Sequence, residues 1–192
     1  MEARIPPFAD RPRWVRPREQ DGECALALDD PVTTRIVAFL EQIGIPVATD
    51  SVPEESLLPA MTVRDGMLVF DPQRLEWPGD LLHEAGHIAV TDPALRPTLD
   101  EVRSDPAEEM SAIAWSYAAA LAIDLDPAII FHEAGYNGGS ASILENFTAG
   151  RYFGVPTLEY YGMTLTKRFA EERGMPPYPY MQSWLRTRTN EA

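Results

Sequence analysis

Residues 80–90 read Asp-Leu-Leu-His-Glu-Ala-Gly-His-Ile-Ala-Val, and this run constrains the fold more than any other. Its apolar positions, Leu81, Leu82, Ala85, Ile88 and Ala89, recur at helical rather than strand spacing. Pro78-Gly79 precedes the run and Asp92-Pro93 stops it, because the residue before a proline is driven out of the helical region. The spacing therefore predicts a helix from about Asp80 to Val90. His83 and His87 lie four residues apart on it, one above the other on a single face. Gly86, between them, lets a neighbouring backbone come close.

Two imidazoles a turn apart can converge on one metal ion. Glu84 projects beside them, and in zinc hydrolases a glutamate so placed is a general base rather than a ligand. A catalytic zinc takes three protein ligands and keeps one position open. The chain has three histidines, and the third, His132, is remote in sequence. The extended form His-Glu-x-x-His-x-x-Gly-x-x-His would need glycine at 90 and histidine at 93, where Val90 and Pro93 stand. A second helix opens at Asp105-Pro106, a capping residue followed by proline, and runs to about Ile123. Glu108 and Glu109 lie in its first turn, so packing it against the histidine helix would bring one of these carboxylates to the metal. Adjacent acids at a helix start also complement its dipole without any ligand role.

Leu81-Leu82-His83-Glu84-Ala85-Gly86-His87, followed by Glu109-Met110-Ser111-Ala112-Ile113-Ala114-Trp115-Ser116, resembles the gluzincin type of zincin metallopeptidase, nearest the ImmA/IrrE family. That family pairs a His-Glu-x-x-His helix with a helix reading approximately Glu-x-x-Ala-x-x-Phe-Ala, whose first glutamate is the third ligand. The resemblance spans about residues 60–122. It implies Zn2+ held by His83, His87 and Glu109, with Glu84 as catalytic base and Glu109 preferred over Glu108. It further implies limited cleavage of a peptide or protein substrate, a transcriptional regulator among the candidates. Ser111 departs from the acidic residue frequent before the alanine. Ile113 stands where related gluzincins place a carboxylate that orients a histidine, which leaves the partners of the histidines' other ring nitrogens unassigned.

The remaining sequence predicts an α+β, zincin-like fold: a small N-terminal sheet, the histidine helix, then a mostly helical C-terminal part. Asp30 caps and Pro31 opens a helix to about Gln42, with Ile36, Val37, Leu40 and Ile43 on one face and Gly44 as its stop. Strands are expected at 45–48, 61–64 and 67–70, the last two joined by Asp65-Gly66, a preferred hairpin pair. Short helices are expected from Asp126-Pro127 through His132 and from Ser140 or Ser142 toward Ala149, and a longer one from Thr157 to Glu172 with a break at Gly162. Residues 1–30, carrying Arg4, Arg11, Arg13, Arg16 and Arg18, read as an extended basic lead-in, 31–175 as the domain, and 176–192 as an irregular tail. His132-Glu133-Ala134-Gly135-Tyr136 echoes the histidine motif, but the flanks do not match, so no repeat is inferred.

A net charge of -14 opposes binding to phosphate backbones, so direct nucleic-acid contact is not expected. The strongest apolar stretch, Ala112 to Ile123, falls well short of the roughly 20 residues of a bilayer span. Without an apolar segment after the N-terminal arginines, and with Cys24 the lone cysteine, the expected location is the cytoplasm. The sequence sets no oligomeric state. For an oxyanion donor it offers His132, Tyr136, Tyr152, Tyr160 and Tyr161, with His132 read as structural. The rival reading is a non-catalytic, metal-binding regulator or interaction module on the same scaffold. A di-iron bundle would need Glu-x-x-His on two helices, and Glu133 leads only to Tyr136.

Overall fold

The computed structural model describes residues 30–52, 60–100 and 105–189. The basic lead-in, apart from Asp30, lies outside the described residues, as do 190–192. The fold is α+β, a small three-stranded sheet followed by a mostly helical C-terminal region.

Helix α1, Pro31–Gln42, starts where the Asp30 carboxylate accepts from the amides of Val32 and Thr33, with proline at the first helical position. It buries Ile36, Val37, Phe39 and Leu40, while Ile43 is only partly covered. The chain then enters β1, Val47–Thr49, which pairs in parallel with β3, Met67–Phe70; β2, Met61–Arg64, pairs antiparallel on the other side of β3. Asp65 and Gly66 both take positive φ, 48° and 71°, the geometry that a two-residue turn needs to match the twist of its strands. The central strand is the best buried, with Leu68, Val69 and Phe70 all inside.

Helix α2, Asp80–Val90, packs on β2 and β3 through an apolar face of Leu81, Leu82, Ala85, Ile88 and Ala89, all fully buried. Helix α3, Pro106–Ala122, is capped by Asp105 and lies against α2 in the largest helix–helix contact of the fold. Eight of its seventeen residues are alanine or other apolar types that are buried, on several sides of the helix, which makes it the central rod of the core rather than a surface helix.

Beyond α3 the structure corrects one expectation. The Asp126-Pro127 segment forms only a 3-10 turn, Pro127–Ile129, and His132 sits in the irregular chain after it. The span 157–172 breaks at Gly162, as the sequence suggests, into two helices, α5 (Val155–Tyr160) and α6 (Lys167–Arg173), following α4 (Ser140–Thr148). They are separated because the chain turns at Gly162 and Thr164 bridges to Met181. Residues 176–189 have no helix but pack closely: the Tyr178 hydroxyl donates to the Ala114 carbonyl and the Trp115 indole to the Trp184 carbonyl, both at 2.8 Å. Tail residues thus finish the core around α3. Among the described residues no helix is long and apolar enough to cross a membrane.

Candidate metal centre

Placement of the site begins with Gly86. A Cβ there would meet the Ala112 carbonyl oxygen at 2.9 Å and its Cα at 3.1 Å, so the bare backbone of α2 is what allows α3 to approach this closely. Glu109 lies three residues before Ala112, one turn toward the start of α3. The close approach therefore brings its carboxylate level with His83 and His87. Nε2 of His83 and Nε2 of His87 are 3.2 Å apart, and Glu109 Oε1 and Oε2 lie 3.4 and 3.2 Å from them respectively. These three residues form a cluster that could hold a metal ion. Glu108, although adjacent, is not in it.

The donor set and its dimensions suit a cation. Ligand atoms each about 2.0–2.1 Å from a tetrahedral zinc are separated by about 3.3 Å, and the three distances here fall around that value. Two imidazole nitrogens and a carboxylate oxygen drawn this close would repel unless protons or a cation lay among them. The His83 and His87 side chains are 13% and 4% exposed while that of Glu109 is 35% exposed, so the cluster is closed by protein behind and open on the Glu109 side.

Electrostatics prepare the same chemistry. Burial, with the neighbouring His87, holds the His83 imidazole down to about 4 against the pull of Glu109, so the ring is neutral and its lone pair available near neutral pH. Hydrogen bonding to His87 keeps the Glu109 carboxyl below its ordinary range despite partial burial. Glu84 is almost fully buried, and burial, reinforced by Glu109 and Asp80 against His87, pushes its carboxyl up to about 7. A divalent ion in the cluster would draw that value back down.

The second half of the site comes from the segment echoing the histidine motif. It is not a helix: His132 and Tyr136 belong to a turn structure that folds back on α2. Nε2 of His132 meets the Asp80 carboxylate at 2.9 Å, and Trp77 stacks on the His132 ring with centroids 4.3 Å apart and planes within 3°. Burial raises the Asp80 carboxyl, with His132 opposing. The Tyr136 hydroxyl lies 3.2 Å from Nδ1 of His83, and the two rings meet edge to face. Burial and the surrounding acids Glu109, Asp80 and Glu84 raise the phenol far above its ordinary range, so it stays neutral. Nδ1 of His87 is buried with no hydrogen-bond partner.

Of the oxyanion candidates, Tyr136 therefore stands behind His83, on the ring nitrogen turned from the cluster, and His132 is engaged by Asp80 and Trp77. Tyr152 packs among Tyr117, Phe147 and Tyr178, Tyr161 lies under the Arg186 guanidinium, and the exposed Tyr160 lies against Tyr161. Asp80 and Trp77 carried no functional reading from sequence; the only trace was the echo of the motif around His132. Comparison with protein-family models, curated proteins and solved structures gives no match to this chain.

Proposed function

We propose that this protein is a zinc-dependent metallopeptidase of zincin type, with His83, His87 and Glu109 as metal ligands and Glu84 as general base. The observation that carries the reading is the closeness of the donor atoms: the two Nε2 atoms lie 3.2 Å apart, and the Glu109 carboxylate sets Oε1 3.4 Å from that of His83 and Oε2 3.2 Å from that of His87, near the ligand separation of tetrahedral zinc. Resemblance of the two helices to the ImmA/IrrE pattern supports it, and favours limited cleavage of a regulatory protein as the reaction. A zinc ion held there supplies Lewis acidity, which makes water acidic near neutral pH and polarises a peptide carbonyl. Glu84, on the same turn as both histidines, would take the proton from the attacking water on its carboxylate and return it to the departing amine. Its burial favours this, because a carboxyl shielded from solvent holds a proton more readily than an exposed one.

A second reading, a non-catalytic metal-binding regulator on this scaffold, draws on the unpartnered Nδ1 of His87 and the phenol, rather than carboxylate, behind His83. Glu84→Gln separates the two. Under the peptidase reading the variant retains zinc and loses peptide hydrolysis by about 10²–10⁴-fold, the usual contribution of a positioned base. Zinc-loaded wild-type protein that cleaves no member of a broad peptide library, at any pH from mildly acidic to mildly basic, would favour the regulator.

A further inference from the structure

We propose that Tyr136 is a positioning residue for the metal centre, fixing the ring of His83 through Nδ1 in the place where a carboxylate would ordinarily stand; this rests on the metal ligation proposed above. When Nε2 of His83 offers its lone pair to a cation, the ring proton resides on Nδ1, and Tyr136 Oη, at 3.2 Å, is there to accept it. The edge-to-face contact of the two rings restricts rotation of the imidazole independently of that bond.

The backbone shows that this placement is imposed. Tyr136 and Asn137 both adopt left-handed conformations, φ 53° and 51°, which an aromatic residue rarely takes. Surrounding contacts hold them there. The Gly139 amide donates to the Tyr136 carbonyl at 2.9 Å, the Ser140 hydroxyl donates to the Gly135 carbonyl at 3.0 Å, and Phe131 packs on the tyrosine ring. On the other flank, His132 is pinned by Asp80 and Trp77, so the turn is tied to the first residue of the very helix whose histidine it orients. A phenol brings no negative charge, so it fixes the ring without making it as basic a ligand as a carboxylate would.

The test compares wild-type protein, Tyr136→Phe and Asn137→Gly, measuring zinc affinity by chelator competition and, in the zinc-loaded proteins, the NMR resonance of the His83 Nδ1 proton. Tyr136→Phe keeps the ring and removes only the hydroxyl; it should bind zinc about 10–100-fold more weakly and shift that resonance upfield. Asn137→Gly keeps the phenol and should match wild type in both. Equal affinity of Tyr136→Phe and wild type would overturn the inference alone, as would an equal loss in Asn137→Gly, which would assign the effect to the loop. A wild-type chain that binds no zinc would overturn the metal reading and this inference with it.

Discussion

A methyl group added at Gly86 would have to displace the backbone of α3 at Ala112, because the contact falls on a carbonyl and a Cα rather than on a flexible side chain. Gly86→Ala is therefore expected to destabilise the protein by about 1–3 kcal/mol, in the range of core overpacking, and to weaken zinc binding by moving Glu109 away from the histidines. Chemical denaturation and chelator competition on the same samples check both effects; unchanged affinity would mean that α3 yields without carrying Glu109 off. At this scale much of the site was legible. The i, i+4 placement of the histidines follows from helix geometry alone, whereas the preference for Glu109 over Glu108 rested on the resemblance to the ImmA/IrrE pattern, in which Ala112 and Trp115 fall at the matching spacing. Tyr136 was not legible as the partner of His83, since its position depends on two left-handed residues in a turn for which the sequence offered only a helix-like echo.

Each helix is set by what meets its ends. Asp30, Asp105 and Asp126 all precede proline, and all three accept a backbone amide two residues on, which is why these starts could be read from sequence. Burial alone would raise the Asp30 carboxyl, but the Thr33 hydroxyl and the amides of Thr33 and Val32 hold it below its ordinary value. Its contribution to stability is thus present above the unfolded carboxylate pKa and disappears as pH falls through the lower folded value. Asp30→Ala should cost about 0.5–2 kcal/mol at neutral pH, with the difference from wild type shrinking in strong acid; thermal melts across pH measure it.

The end of α2 was marked in the sequence by Asp92-Pro93, but the side chains that cover its last carbonyls were not. Arg96 donates to the carbonyls of Ile88, Ala89 and Thr91, and Arg186, from 96 residues further along, donates to Val90. Together they cover carbonyls that helix geometry leaves without partners and place positive charge at the negative end of its dipole. Arg186 is almost wholly buried, 3.6 Å from Asp92 and 4.0 Å above the Tyr161 ring. Removing one partner of a buried pair leaves a buried charge behind, so Arg186→Ala should lower stability by about 3–5 kcal/mol. A loss below 1 kcal/mol in urea titration would show that the C-terminal segment does not anchor α2.

The whole molecule is organised so that distant parts of the chain converge on α2 and α3. The parallel pairing of β1 with β3 and the return of residues 176–189 over α3 are non-local arrangements, which local propensity and hydrophobic period do not encode; the hairpin and helix order, being local, were legible. A bound metal adds a further link between α2 and α3, and it would stabilise the folded chain by about 2.7 kcal/mol at a free concentration one hundred times its Kd. Chelation should accordingly lower the melting temperature, and readdition of zinc should restore it. The most direct test of the central claim is elemental analysis of protein purified without added metal, beside a His83→Ala variant. The account predicts about one equivalent of zinc in wild type and its loss in the folded variant. Folded wild-type protein that stays metal-free even after zinc is supplied, or a variant that keeps its full equivalent, would contradict it.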